Sequence, residues 1–425
     1  MDTILTMLLE LIRDPAIFIG LIAMAGLILQ GQSASAVIKG TVKAIVGMLI
    51  LLEGVSFIIR GIDPLAQAFT TLFAIEDVAY EGAALANFGD FIAEFGTEIG
   101  IVMLLGFVFN IVIARYTRFK SIYLTGNVLY WFAMIFVAMG VEAEINGLAL
   151  IVFATIFQVA YVVISPAIAR PLVKELTGND GFTIGHTATI FCALGAFIGK
   201  FVGDPNKSTE DINVPPALDF FRETTVTSGL VVAAVYFIVG LVIGAEARAD
   251  IFGEQILLSF AIIQGLTFAA AMVIILQGVR MMLNEIVPAF KGISDKLVPG
   301  AIPALDIPLI FPYGQNALLI GFVVSMISSI ATLFFLSSSG YLAYAIIPLT
   351  IACYFDVAPG AIFANKRGGI KAAVLTSAIG GITLMLLVAF TIPMLASTVG
   401  NFLMLYGGNE FSLWAGIASL FAGLF

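Results

Sequence analysis

The stretch Gly181-Phe-Thr-Ile-Gly-His-Thr-Ala-Thr189 holds the only histidine of the 425-residue chain, between long apolar runs. A titratable ring at membrane depth is costly unless it faces protein or water, so His186 is a candidate site residue. The alternative is a histidine satisfied by a neighbouring carbonyl. Small residues on both sides let the backbone bend and approach a ligand closely.

The surroundings set the class. Sixty per cent of residues are apolar and 11% charged, against about 25% charged in soluble domains; mean hydropathy is +1.09. A membrane-spanning helix needs roughly 20 apolar residues. Runs that could span or re-enter lie near 15–30, 44–62, 98–115, 121–140, 145–170, 182–202, 225–246, 255–283, 314–336, 339–355, 370–397 and 401–425. The composition predicts an all-α polytopic membrane protein.

With 28 acidic and 19 basic residues, the balance speaks against a nucleic-acid partner. Cys192 and Cys353 lie in apolar surroundings and offer no metal or disulfide spacing, so inert buried thiols are expected. No metal and no cofactor are expected. The start, Met1-Asp-Thr-Ile-Leu-Thr-Met7, lacks a basic region and a small-residue cleavage site, and reads as the start of a mature membrane protein.

Three segments break the apolar pattern. The first is 182–202, rich in glycine. The second is 293–312, interrupted by Pro299, Pro303, Pro308 and Pro312; the third is 356–369, too short and polar to span. Broken backbone at membrane depth requires protein or a water-filled cavity to satisfy the freed groups, so a binding site is expected where these segments meet. Residues 63–95 mix phenylalanines with Asp77, Glu81, Asp90 and Glu94, which suits amphipathic helices on the interface or against a polar cavity. The longest hydrophilic stretch, Asp204 to Glu223, is too short for a catalytic domain. Any soluble enzymatic partner is therefore another chain.

The halves echo each other. Ile28-Leu-Gln-Gly31 recurs as Ile275-Leu-Gln-Gly278, and Lys39-Gly40 with Lys43 and Gly47 recurs as Lys291-Gly292 with Lys296 and Gly300. Chance and repeats at about 1–210 and 250–425 within one membrane unit, 1–425, both account for this; a transporter built from repeats carries its site at their interface. Arg115, Arg118 and Lys120 mark a short loop as cytoplasmic.

On a helix, Glu53, Ser56, Arg60 and Asp63 form one polar stripe, which must face a cavity or serve a structural Glu53–Arg60 pairing. Asp306, between Pro303 and Pro308, is either a recognition group or general base, or a helix cap. Asn127 and Trp131, four apart, share a helix face suited to a sugar-like ligand, although Trp also anchors helices at interfaces. Gly195-Ala-Phe-Ile-Gly-Lys-Phe201 is one residue short of a phosphate loop and lacks its hydroxyl.

In order, Val37–Gly47, Leu124–Gly126, Gly181–His186, Gln277–Met281, Ala289–Ser294, Leu297–Ala301, Asp306 and Phe363–Asn365 make the chain resemble the membrane (IIC) component of the bacterial L-ascorbate phosphotransferase system. The resemblance implies a multi-pass protein of the bacterial inner membrane and a homodimer. It also implies a core domain, a V-motif dimerisation domain, inverted repeats and elevator movement. With the apolar runs it leads to about 11 transmembrane helices plus re-entrant hairpins. It further implies a separate cytoplasmic IIB protein whose phosphocysteine phosphorylates the incoming ligand. Its pocket falls here on Ser56, Tyr80, His186 and Asp306, with His186 and Asp306 as candidate catalytic groups. Glu53, Trp131 and Thr187 stand where the family has glutamines, and Asn127 where it has a histidine. Trp131 and Thr187 are thus expected to set substrate choice, which stays open between ascorbate and a related sugar or sugar acid. The other class is an ion-coupled or facilitative transporter on the same scaffold without phosphorylation.

Overall fold

The computed structural model describes residues 14–72, 88–211, 224–339 and 349–425, and they are overwhelmingly helical. Helix α1 (Pro15–Leu29) starts where it should: Asp14 accepts from the N–H groups of Ala16 and Ile17 at 2.8 and 2.9 Å, and Pro15 occupies the first turn. Then follow α2 (Ala34–Leu72), α3 (Phe88–Tyr116), α4 (Gly126–Glu142), α5 (Gly147–Thr177) and the short α6 (Thr189–Ile198). The second half holds α7 (Thr224–Val242), α8 (Ala245–Phe252), α9 (Leu257–Lys296), α10 (Gln315–Ser339), α11 (Ala358–Thr391), α12 (Gly400–Tyr406) and α13 (Glu410–Phe421).

Five helices among the described residues are long and apolar enough to cross a membrane, or six if the bent pair around Phe252 is one span. The multi-pass helical class therefore stands. Length and composition do not bring the number to the expected 11 or so; α4, α6 and α13 are apolar but shorter. Of the interfacial stretch 63–95, residues 73–87, and with them Tyr80, lie outside the described residues. Residues 63–72 continue α2, and 88–95 open α3, which kinks at Phe95.

The helices pack in two groups. In one, α9 runs along α2, α7 and α1; in the other, α11 packs on α10 and α6, and α5 on α3 and α4. Glycine carries close approach in both. A Cβ at Gly195 would stand 2.0 Å from the carbonyl oxygen of Gly360, so α6 meets α11 backbone to backbone. Without a hydrophobic driving force between helices in lipid, such contact is the main source of association. Helix α11 is broken at Gly369, whose φ of +65° suits glycine and where a Cβ would meet the Asp204 oxygen at 2.3 Å.

One element departs from the all-α expectation. Three short strands, β1 (Ser121–Tyr123), β2 (Thr183–Ile184) and β3 (Ile302–Leu305), form a parallel sheet in the order β1-β3-β2. Ser121 pairs with Ile302 and Thr183 with Ala304. The outer edge of β1 is closed by the buried Asn110 of α3, which donates to Ser121 O at 3.2 Å and accepts from Tyr123 N–H at 2.8 Å. An exposed edge at membrane depth would leave these groups unpaid.

Because the strands are parallel, the loops leading into them, 117–120, 178–182 and 297–301, lie on one side. Arg170 and Lys174 pair there with Asp180 at 2.9 and 3.2 Å, and Arg170 chiefly holds that carboxyl below its usual range. Arg367 joins Glu175 of α5 (Nε–Oε1 2.7 Å) to the Ala196 carbonyl of α6 (2.6 Å).

Candidate functional site

The three strands end on the residues that matter. Beyond β1 come Leu124, Thr125 and Asn127, beyond β2 Gly185 and His186, and beyond β3 Asp306. The ladder continues to these ends: Leu124 N–H donates to Ala304 O at 2.9 Å, and Gly185 N–H to Leu305 O at 2.7 Å. The three chain segments thus run in the same direction up to the strand ends and continue from there as helices or a 3₁₀ turn. Side chains at the carboxyl ends of parallel strands converge on a crevice, as in soluble α/β proteins.

That crevice is a cavity of about 350 Å³. It is lined by Leu52 and Ser56 of α2, Asn127 and Trp131 of α4, His186, Thr187, Asp306, Asp356, Asn409 and an aromatic wall that includes Phe402 and Phe411. Six of the eight sequence candidates therefore come together: Ser56, Asn127, Trp131, His186, Thr187 and Asp306. Tyr80 is not described, and Glu53 is exposed on α2 and does not line the cavity. The alternative, a Glu53–Arg60 pairing, is not formed either: Arg60 stacks 5.1 Å above the Phe57 ring, and the side chain of Asp63 lies outside the described set.

His186 sits between two carboxylates. Its Nε2 is 3.7 Å from Asp306 Oδ1 and its Nδ1 3.6 Å from Asp356 Oδ1, within ion-pair range and beyond hydrogen bonding. Nδ1 lies 3.2 Å from the Ala188 N–H, which donates to it, and 3.3 Å from Thr187 Oγ1; on the first, shorter contact we assign the hydrogen of the neutral ring to Nε2, on the Asp306 side.

Asp306 serves both roles that the sequence left open. It caps the following 3₁₀ turn, Ile307–Tyr313, by accepting from Ile307 N–H at 2.7 Å through Oδ1, and it also lines the cavity. Pro308 in that turn donates nothing that needs a partner.

Asp356 and Asn409 were missed by sequence reasoning. Asp356 stands in a π-helical turn, Cys353–Val357, and is 4% exposed. Thr187 Oγ1 donates to its Oδ1 at 2.5 Å and Asn409 Nδ2 to its Oδ2 at 2.9 Å. The Asn409 amide is oriented by Phe411 N–H, which donates to its Oδ1 at 3.0 Å as the cap of α13. Asp356 thereby ties the tip after β2, the start of α11 and the start of α13 into one wall. The signal available in sequence was the polar interruption at 356 and the Asn-Glu pair opening an apolar run.

Behind the wall, buried Glu410 takes Ser165 Oγ at 3.1 Å and the N–H of Ile190 in the first turn of α6. A carboxylate at a helix N-terminus is favourable, so Glu410 supports the His186 hairpin without entering the cavity. Thr189 Oγ1 donates back to His186 O at 3.2 Å. Trp131 packs on Phe402 and Phe88, centroids 5.0 and 6.1 Å away, which fixes its plane along the cavity.

Carboxylates, an imidazole, an amide and an aromatic plane at the end of broken backbone suit a hydroxylated small molecule. Among the described residues no group of His, Cys, Asp and Glu could hold a metal ion. Cys192 and Cys353 are both free and buried.

Comparison with known proteins assigns the family. Residues 10–408 match the family described as the sugar-specific permease component of the PTS (phosphotransferase) system. A relative from Mycoplasma pneumoniae, an "Ascorbate-specific PTS system EIIC component", is 25% identical over 461 aligned positions, covering 95% of this chain and 69% of the relative. With nearly its whole length matched, the chain belongs to the family of PTS sugar-specific permease components.

Proposed function

We propose that the chain is the IIC permease for ascorbate or a related sugar or sugar acid, moving it across a bacterial cell membrane to a separate phosphorylated IIB protein. The observation that carries this reading is the cavity of about 350 Å³ at whose wall His186 and Asp306, each on a strand end, stand 3.7 Å apart. Binding at the midplane between broken segments is what alternating access needs.

The chemistry follows from the groups present. A substrate hydroxyl attacks the phosphorus of the IIB phosphocysteine, the S–P bond breaks, and the thiolate leaves with the electron pair. The hydroxyl proton goes to a base. His186 Nδ1 already accepts from Ala188 N–H, so Nε2–H is a donor that orients the substrate oxygen, and Asp306 takes the proton. The phosphate adds roughly 1.5 to 2 negative charges near neutral pH. The product then no longer suits the cavity and cannot cross back.

The two packing groups support a division into a moving core, which holds the strands and His186, and a V-motif scaffold for a homodimer. The longest helices of that scaffold, α2 with 39 residues and α9 with 40, each carry an internal proline, Pro64 and Pro288, as related halves would. Elevator movement of the core past α2 would carry the cavity between the two sides. Arg115, Arg118 and Lys120 precede β1 on the side where all three strand loops lie, and Glu142 and Glu144 close α4 at its far end. By the positive-inside rule the strand loops are cytoplasmic, so the hairpins enter from the IIB side.

Formation of a phosphate ester tests the reading. Membranes carrying the chain, incubated with phosphorylated IIB and labelled ascorbate or a sugar, should yield the ester only when both proteins are present. No ester from any compound that binds would contradict it. Trp131→Ala should weaken binding of the transported compound about 10-fold through loss of the aromatic plane. Titration calorimetry checks this, and unchanged affinity would place Trp131 in a purely structural role.

A further inference from the structure

We propose that Asp356 selects substrates by charge: the cavity takes an uncharged, hydroxyl-rich sugar and disfavours sugar acids. This rests on the permease reading of the cavity and narrows it.

Charge is the first argument. Asp306 and Asp356 flank the single imidazole at 3.7 and 3.6 Å, and no lysine or arginine is among the described lining residues. Both carboxylates are held as acceptors by N–H donors that cannot reverse: Ile307 N–H on Asp306 and Asn409 Nδ2 on Asp356, the latter with its amide oriented by Phe411. An anionic ligand would meet two buried carboxyl groups and no fixed cation. Like charges at such separation in a poorly screened site repel strongly.

Hydrogen-bond capacity is the second, independent argument. Asn127 Oδ1 is shielded from solvent and has no hydrogen-bond partner among the described residues. It lines the same cavity as the two carboxylates. Asn127 Oδ1 is thus an acceptor without a donor, while His186 Nε2–H is a donor on the Asp306 side. A hydroxyl both donates and accepts, whereas a carboxylate or enediolate only accepts. A hydroxyl placed at Asn127 can give its Oδ1 the missing donor, which a carboxylate or enediolate oxygen there cannot.

Thr187 enters this account as a positioning residue. Its hydroxyl is committed to Asp356 at 2.5 Å, so it holds the carboxylate in place.

The test uses the full chain in nanodiscs and matched probes that differ by oxidation of one terminal CH2OH to a carboxylate: D-glucitol with D-gluconate, D-galactose with D-galacturonate, and L-ascorbate alone. Calorimetry and thermal shift on the parent should show the neutral member of at least one pair binding about 10-fold or more tightly than its acid and than ascorbate. Asp356→Asn and Asp356→Ser should each shift that ratio toward the acid by about 10-fold or more. Tighter binding of ascorbate or of either acid by the parent would overturn the proposal, as would a ratio unmoved in both variants, or no binding of any neutral probe. Parent selectivity needs no variant to fold. Ester formation with phosphorylated IIB is scored separately. An acid that binds and is phosphorylated defeats only the charge proposal, and a neutral sugar that binds without being phosphorylated defeats only the phosphotransferase reading.

Discussion

Asp306→Asn is expected to lower phosphorylation of the transported compound by about 10²-fold or more, the usual scale for removing a general base. The substitution is chosen for what it keeps. An asparagine oxygen caps the Ile307 N–H as the carboxylate does at 2.7 Å, so the 3₁₀ turn and the strand end stay in place. What is lost is an oxygen able to take a proton. Binding measured in the same variant separates the roles. Retained affinity with lost phosphorylation makes Asp306 the base, and loss of both makes it a recognition group. His186→Ala should weaken binding as well as phosphorylation, because its Nε2–H is a donor to the ligand. Full activity in both variants would make the pair structural and move the search to Asp356 and Asn409 on the same cavity.

The second large effect is on the fold. Gly195→Leu should prevent recovery of a monodisperse folded protein, and Gly195→Ala should already be destabilising by about 1–3 kcal/mol, the range for overpacking. The reason lies in which atoms meet: a Cβ at 195 would stand 2.0 Å from the backbone oxygen of Gly360 and 3.2 Å from Thr376 Cγ2. Backbone cannot rotate aside as a long side chain can. Since α6 follows His186 directly, separating it from α11 would also misplace the imidazole relative to Asp356. Elution profile and thermal midpoint in detergent check this. A parental midpoint for Gly195→Leu would mean that the two helices do not touch as described.

Much of the site could be read from residues alone because polar groups at membrane depth have few permitted places. The three interrupted segments, 182–202, 293–312 and 356–369, do meet at the cavity. Ser56, Asn127, Trp131, His186, Thr187 and Asp306 line it together. The sheet was not legible. Strands of two to four residues carry too few alternations for a period of 2 to emerge from an apolar chain. Glu53 shows the limit of a helical stripe. Positions i and i+3 lie about 60° apart on a helix, enough to send Ser56 to the cavity and leave Glu53 outside it. Asp356 was hidden by its backbone, since a π-turn shifts the helical register and no spacing rule places its side chain. Asn127 and Trp131, on the regular helix α4, kept the shared face that their spacing implies.

The most direct measurement is uptake into proteoliposomes containing only this chain, with phosphorylated IIB either present in the lumen or absent. The account predicts that labelled substrate accumulates as its phosphate ester beyond the external concentration only when phosphorylated IIB is inside, and merely equilibrates without it. Accumulation against a gradient in the absence of IIB, driven by an imposed proton or sodium gradient, would contradict it.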